Sequence, residues 1–165
     1  MKTLYLARHT KSSWDTEGID DFDRPLLERG IQKSKKAARY LNNLDIHVDK
    51  IISSPAVRAL ETAKLIASGI GFPTDKIVLE PGIYEGSLNK MLEIIYATDD
   101  EVDSLMIFGH NPTITKLANH FLKPGIDLMP TMGIACISFN TDEWNSIPLA
   151  EKKNEFVLFP NLLPD

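Results

Sequence analysis

The feature that most constrains the fold of this chain is an alternation of short apolar runs with segments whose apolar residues recur at helical spacing. The runs lie at Thr3 to Ala7, Lys50 to Ile52, Ser104 to Phe108, Ile134 to Phe139 and Phe156 to Phe159. Leu105-Met106-Ile107-Phe108 is apolar throughout, which suits a strand covered on both faces, as parallel strands are. Between the runs, Leu27, Ile31, Ser34, Ala38 and Leu41 lay one stripe along a helix. Ala56, Leu60, Ala63 and Ala67 repeat the pattern, as do Leu88, Met91, Leu92 and Ile95, and then Ile114, Leu117, Ala118 and Phe121. Strands alternating with such helices predict an α/β three-layer sandwich, with a largely parallel central sheet and helices on both faces. Only the polar segment 140–146 separates the last two runs, so they are expected to pair as an antiparallel C-terminal hairpin.

With 165 residues the chain is expected to form a single domain over 1–165. Cys136 is its one cysteine, which removes disulfide-framework and zinc-ribbon readings and suits a reducing compartment. Lys and Arg number 18 against 23 Asp and Glu, a net charge of −5. That balance disfavours broad nucleic-acid or anionic-membrane partners while leaving room for a small basic pocket. No apolar stretch approaches the ~20 residues of a membrane helix. The N-terminal run meets Arg8-His9 too early for a signal core, and a cytoplasmic location is expected.

Chemistry collects at one predicted edge. Ser54-Pro55 follows the second strand and Asn111-Pro112 follows Leu105 to Phe108. In each, Ser or Asn is expected to cap a helix with Pro at its first position. Helix N-termini at the carboxyl ends of parallel strands favour anions. Arg8-His9 ends the first strand, Arg58 lies in the second helix, and His110 precedes Asn111. Arginine's planar fork suits phosphate oxygens, and a neutral imidazole can serve as nucleophile or as acid and base. The long polar loop Lys11 to Pro25 is a candidate wall of the site, and Leu122 to Gly133 is the other long irregular stretch.

Arg8-His9-Thr10-Lys11-Ser12-Ser13-Trp14-Asp15 resembles the arginine–histidine signature of the histidine phosphatase superfamily, which includes the cofactor-dependent phosphoglycerate mutases. The match continues in order and spacing through Arg24-Pro25-Leu26-Leu27-Glu28-Arg29-Gly30, Ser53-Ser54-Pro55-Ala56-Val57-Arg58-Ala59-Leu60-Glu61-Thr62-Ala63 and Gly109-His110-Asn111-Pro112. The short length, Asp21-Phe22-Asp23-Arg24-Pro25 and the Gly-His-Asn-Pro form look most like the SixA-type phosphohistidine phosphatase branch. The resemblance implies a phosphoglycerate mutase-like fold and a phosphatase that needs no metal or other cofactor. His9 would be the nucleophile, Arg8 and Arg58 would neutralise the phosphoryl oxygens, and His110 would complete the phosphate pocket. Ser12, or Ser13, would be the small polar residue near the phosphate. Glu85 would be the acidic proton donor, with Glu80 its competitor. Thr10 stands where relatives usually carry glycine, and its β-branched side chain restricts the local backbone.

The implied partners are a phosphorylated protein bearing phosphohistidine or a small phosphorylated metabolite. The implied reaction is phosphatase turnover through a phosphohistidine on His9. A small-molecule phosphomonoesterase or mutase of the same fold is the alternative, and a non-catalytic phosphate or phosphoprotein-binding module is a second. His47 and His120 read as solvated or capping residues, Cys136 as a core residue, and Trp14 as either an anchor for its loop or a cover for the site. Serine hydrolase, nucleotide triphosphatase and zincin signatures do not occur in the sequence.

Overall fold

The structure, a computed structural model, describes residues 1–14 and 18–164, so Asp15 lies outside the described residues. Strands β1 (Lys2–Arg8), β2 (Lys50–Ser53), β3 (Val78–Leu79), β4 (Ser104–Gly109), β5 (Ile134–Phe139) and β6 (Lys152–Leu158) form one sheet in the order β3-β2-β4-β1-β5-β6. Neighbours from β3 to β1 run parallel, whereas β5 is antiparallel to β1 and β6 to β5. This is the predicted α/β sheet with its antiparallel C-terminal pair.

Helices α1 (Glu28–Asn43), α2 (Val57–Ile70), α3 (Pro81–Tyr84), α4 (Leu88–Tyr96) and α5 (Thr113–Phe121) complete the regular elements. Successive side chains of a strand point to opposite faces of the sheet, and this divides the core in two. Leu4 and Leu6 of β1, with Leu105 and Ile107 of β4, pack against Met91 and Ile95 of α4 and Ile114 and Leu117 of α5. Tyr5, Ala7, Met106 and Phe108 pack on the other face against Ala38 and Leu41 of α1 and Ala63 and Ile66 of α2. The unbroken apolar run of β4 is thus explained by cover on both sides. Ser34, which interrupts the α1 stripe, donates to the Gly30 carbonyl one turn back at 3.0 Å.

The structure differs from the sequence reading at several element ends and connections. β6 begins at Lys152 rather than Phe156, because an edge strand can carry polar, exposed residues that hide its period. β3 has only two residues, both exposed, too few to register as a pattern. α2 begins at Val57 rather than Pro55, and Ser54 Oγ accepts from the Ala56 N–H at 3.2 Å. The connection to β6 contains a short 3-10 helix, Trp144–Leu149, whose Trp144 is fully buried and donates from Nε1 to the Val102 carbonyl at 2.7 Å. Among the described residues no helix is long and apolar enough to cross a membrane.

Candidate active site

The carboxyl ends of β1, β2 and β4 lie side by side, with Arg8 paired to Gly109 and Ser53 to Phe108. His9 leaves β1 held on both sides: its N–H donates to the Gly109 carbonyl at 3.3 Å, and its carbonyl accepts from Met132 at 3.2 Å. The His9 ring donates from Nδ1 to the Thr10 carbonyl at 2.7 Å. A carbonyl only accepts, so the neutral ring carries its proton on Nδ1 and its lone pair on Nε2. Burial pushes the His9 pKa down to about 4, and the Arg58, Arg8 and Arg24 guanidiniums push in the same direction. The ring is therefore neutral at pH 7.

Thr10 supports this geometry from behind. It is fully buried, its N–H donates to Thr62 Oγ1 at 3.1 Å, and its Oγ1 donates to the Gly30 carbonyl at 2.9 Å. The Thr10 side chain thus ties the end of β1 to α1, while its backbone N–H ties it to α2. Gly30 is needed for the approach, since a Cβ there would stand 2.5 Å from the Lys11 carbonyl oxygen.

Arg58 is the second residue of α2 and is buried. Its two terminal nitrogens donate to Asp21, at 2.7 Å to the backbone carbonyl and 3.1 Å to Oδ2. Arg24 Nε donates to Asp21 Oδ1 at 3.0 Å, and Tyr84 at the end of α3 donates its hydroxyl to Oδ2 at 2.8 Å. The Tyr84 hydroxyl and the guanidiniums hold the Asp21 carboxyl below its ordinary pKa. Arg24 also donates to Ser12 Oγ at 3.3 Å and to the Ser13 carbonyl at 3.1 Å. Its guanidinium lies 3.9 Å from the centre of the Trp14 ring, which is 80% exposed and so cannot anchor the loop by burial.

His110 follows β4, with its ring centre 5.2 Å from that of His9. Its Nε2 shares a 2.7 Å hydrogen bond with Ser54 Oγ. Burial, with His9 and Arg58 adding, pushes its pKa down to about 3. α5 begins at Thr113, with Pro112 rather than Asn111 as its N-cap residue. Asn111, one residue earlier, accepts from the Thr115 N–H at 3.2 Å, and its amide joins Arg8 in donating to the Met129 carbonyl, each at 2.9 Å. The 122–133 segment thereby becomes the far wall. His110 Nδ1, Arg8 Nε and Arg58 Nε are buried with no hydrogen-bond partner. The two arginine Nε atoms are N–H donors, costly to bury unpaired unless a ligand satisfies them, and the chemistry they suit is an oxyanion.

These side chains line one cleft of about 610 Å3. It brings together Arg8, His9, Ser12, Arg58 and His110 of the residues expected from sequence, with Ser13 beside them. It does not bring in Glu85, which is exposed at the end of α3, or Glu80, whose carboxylate accepts from the Gly82 N–H at 3.3 Å. Asp21, Arg24 and Tyr84 were not singled out from sequence. For Asp21 and Arg24 the Asp-Phe-Asp-Arg-Pro stretch was the available signal.

The sheet edge places an imidazole among arginines and a second imidazole, and the six-stranded mixed sheet that carries them defines an α/β protein of the phosphoglycerate mutase-like fold. Residues 4–98, more than half of the chain, match the profile of the histidine phosphatase superfamily (branch 1), and the chain belongs to that superfamily. An uncharacterized chloroplastic protein of Arabidopsis thaliana is 34% identical over 119 residues, 67% of this chain and 54% of that one. An uncharacterized protein of Mycobacterium tuberculosis is 35% identical over 111 residues, 67% of this chain and 66% of that one. The chain thus spans about half to two thirds of these relatives' length. Phosphohistidine phosphatase SixA of Escherichia coli is 24% identical over 153 residues, covering 88% of this chain and 93% of that protein. Among solved structures, SixA of Agrobacterium tumefaciens superposes with a TM-score of 0.80 at 27% identity, covering 96% of this chain and 98% of that one. SixA complexed with tungstate gives 0.81 at 20% identity, covering 96% and 97%.

Proposed function

We propose that the protein is a metal-independent phosphatase of the SixA type, a single domain acting in the cytoplasm, which removes phosphoryl groups from phosphohistidine through a phosphohistidine on His9. The observation that carries this reading is the His9 ring itself. It is neutral, its Nδ1 proton is fixed on the Thr10 carbonyl, and no hydrogen bond among the described residues engages Nε2.

In the first step the Nε2 lone pair attacks phosphorus in line. An N–P bond forms on His9 as the N–P bond to the substrate imidazole breaks, and the departing nitrogen takes a proton from solvent. Arg8, Arg58, Ser12 and His110 hold the equatorial oxygens, so the rate gain comes from position and charge. In the second step water attacks phosphorus, releases orthophosphate and gives up its proton, and His9 regains its lone pair. Asp21, the one carboxylate among the described cleft-lining residues, is kept ionised by Tyr84 and the guanidiniums and is a poor acid. That supports a phosphoramidate substrate, whose nitrogen leaves with less proton assistance than an alkoxide. Tungstate, a phosphate-like oxyanion, is bound in a SixA structure of the same fold.

The test is turnover of a phosphohistidine protein and of phosphomonoesters, both in EDTA, with labelled phosphate. The expected result is hydrolysis of the phosphohistidine substrate, acid-labile label on the wild-type protein, and neither in His9→Ala. Preference for esters would favour the phosphomonoesterase or mutase reading. Phosphate binding without any hydrolysis would favour a binding module.

A further inference from the structure

The chain carries a net charge of −5, yet the described cleft-lining residues include the cations Arg8, Lys11, Arg24, Arg29 and Arg58 against the single carboxylate of Asp21. Asp21 pairs with Arg24 and Arg58. A phosphoryl dianion beside His9 is matched by Arg8 and Arg58. Lys11, in the segment after β1, and Arg29, in the first turn of α1, are left over. None of the ion pairs among the described residues engages Lys11, Arg29 or Lys33. Glu28, the nearest carboxylate in sequence, accepts from Gln32 Nε2 at 2.9 Å.

The placement of these cations is built in. The Lys11 carbonyl accepts from the Leu27 N–H at 3.0 Å, and Gly30 lets α1 approach the Lys11 backbone, so Lys11 and Arg29 are presented together. Lys33, one turn along α1, reaches Thr131 Oγ1 on the opposite wall at 3.5 Å. Burial holds its pKa below the ordinary lysine value, with Lys11, Arg29 and Lys36 contributing, so these like charges feel one another. Crowded cations on an acidic protein are relieved by an anion.

We propose that Lys11 and Arg29, backed by Lys33, form a second anion subsite at the cleft rim, which takes a carboxylate side chain lying near the phosphoryl group on the same protein substrate. The preferred substrate class is then a phosphohistidine set in an acidic segment. The inference rests on the phosphatase reading in taking the inner end of the cleft as the phosphoryl site.

Binding, rather than turnover, separates the two ideas. The probes are two peptides carrying a hydrolysis-resistant phosphoryl-triazole analogue of phosphohistidine, one flanked by Asp and Glu and the other by Asn and Gln. Calorimetric titration of the wild-type protein is expected to favour the acidic peptide by about tenfold at low salt, the factor two surface ion pairs supply, and by less at high salt. Lys11→Gln combined with Arg29→Gln is expected to bring the ratio close to unity. Arg29→Glu, an exposed helical site, is expected to invert it, with thermal unfolding of each variant reporting its fold. Equal binding of the two peptides, binding of neither, or a preference that survives in the folded double variant would each overturn the subsite. A preserved preference in a protein that fails to hydrolyse phosphohistidine would overturn the activity and leave the subsite standing.

Discussion

Arg58 donates both terminal nitrogens of its guanidinium to Asp21, one to the backbone carbonyl at 2.7 Å and one to the carboxylate at 3.1 Å. The carboxylate therefore shares with any bound phosphoryl group the arginine proposed to neutralise it. Asp21→Asn keeps the shape and removes the competing charge. Inhibition by orthophosphate should tighten about threefold, the modest size expected of a half-exposed charge. Weaker inhibition would show that Asp21 matters more for aiming Arg58 than for competing with the ligand.

The pH profile follows from the histidines. Nucleophilic attack needs neutral His9, and its pKa lies near 4. After correction for substrate ionisation, kcat/KM should stay level from pH 7 to about 5 and fall only as pH drops through about 4. An apparent pKa near 6.5 for activity would mean that His9 is not buried as described.

Stability has its own sign. The folded state holds His9 and His110 neutral down to about 4 and 3. The unfolded chain takes up protons below about 6.5, so it binds more protons in that interval and stability falls as pH drops below about 6.5. Denaturant unfolding at pH 7 and pH 5 measures this. Replacing both histidines with Gln should flatten the slope.

Gly30→Ala tests the contact behind the nucleophile. The added methyl meets backbone, at 2.5 Å from the Lys11 carbonyl oxygen and 3.1 Å from its nitrogen, and neither can swing aside. A loss of about 1–3 kcal/mol in unfolding free energy is expected, with a fall in kcat as the His9 to Lys11 segment shifts. An unchanged Tm would remove the close approach from the account.

Glu85→Gln addresses the proton donor that the sequence resemblance implied. Because Glu85 lies exposed outside the cleft, turnover of phosphohistidine and of esters should each stay within about twofold of wild type. A loss above about tenfold confined to esters would make Glu85 the acid for that chemistry.

Much of this arrangement is legible in the sequence. The apolar run of β4 and the stripes of α1, α2, α4 and α5 announced layers around a parallel sheet. Arg8, His9, Arg58 and His110 announced an anion site, because each sits where a strand ends or a helix begins. β3 and the start of β6 were hidden, since short or polar edge strands carry no period. Asp21 and Tyr84 were hidden for a different reason. Their roles arise from meeting Arg58, from segments 37 and 26 residues away in the chain.

Local periodicity and the choice of residue at element ends are properties of neighbouring residues, so the sequence by itself determined the layered α/β architecture and the residue types at its active edge. Tertiary structure alone decided the tautomer of His9, the clamp of Asp21 on two arginines, the burial that keeps both imidazoles neutral, and the exclusion of Glu85 from the cleft. Each of these depends on which distant side chains share a low-dielectric space, and hydrogen bonding and desolvation act through space, where distance along the chain has no bearing.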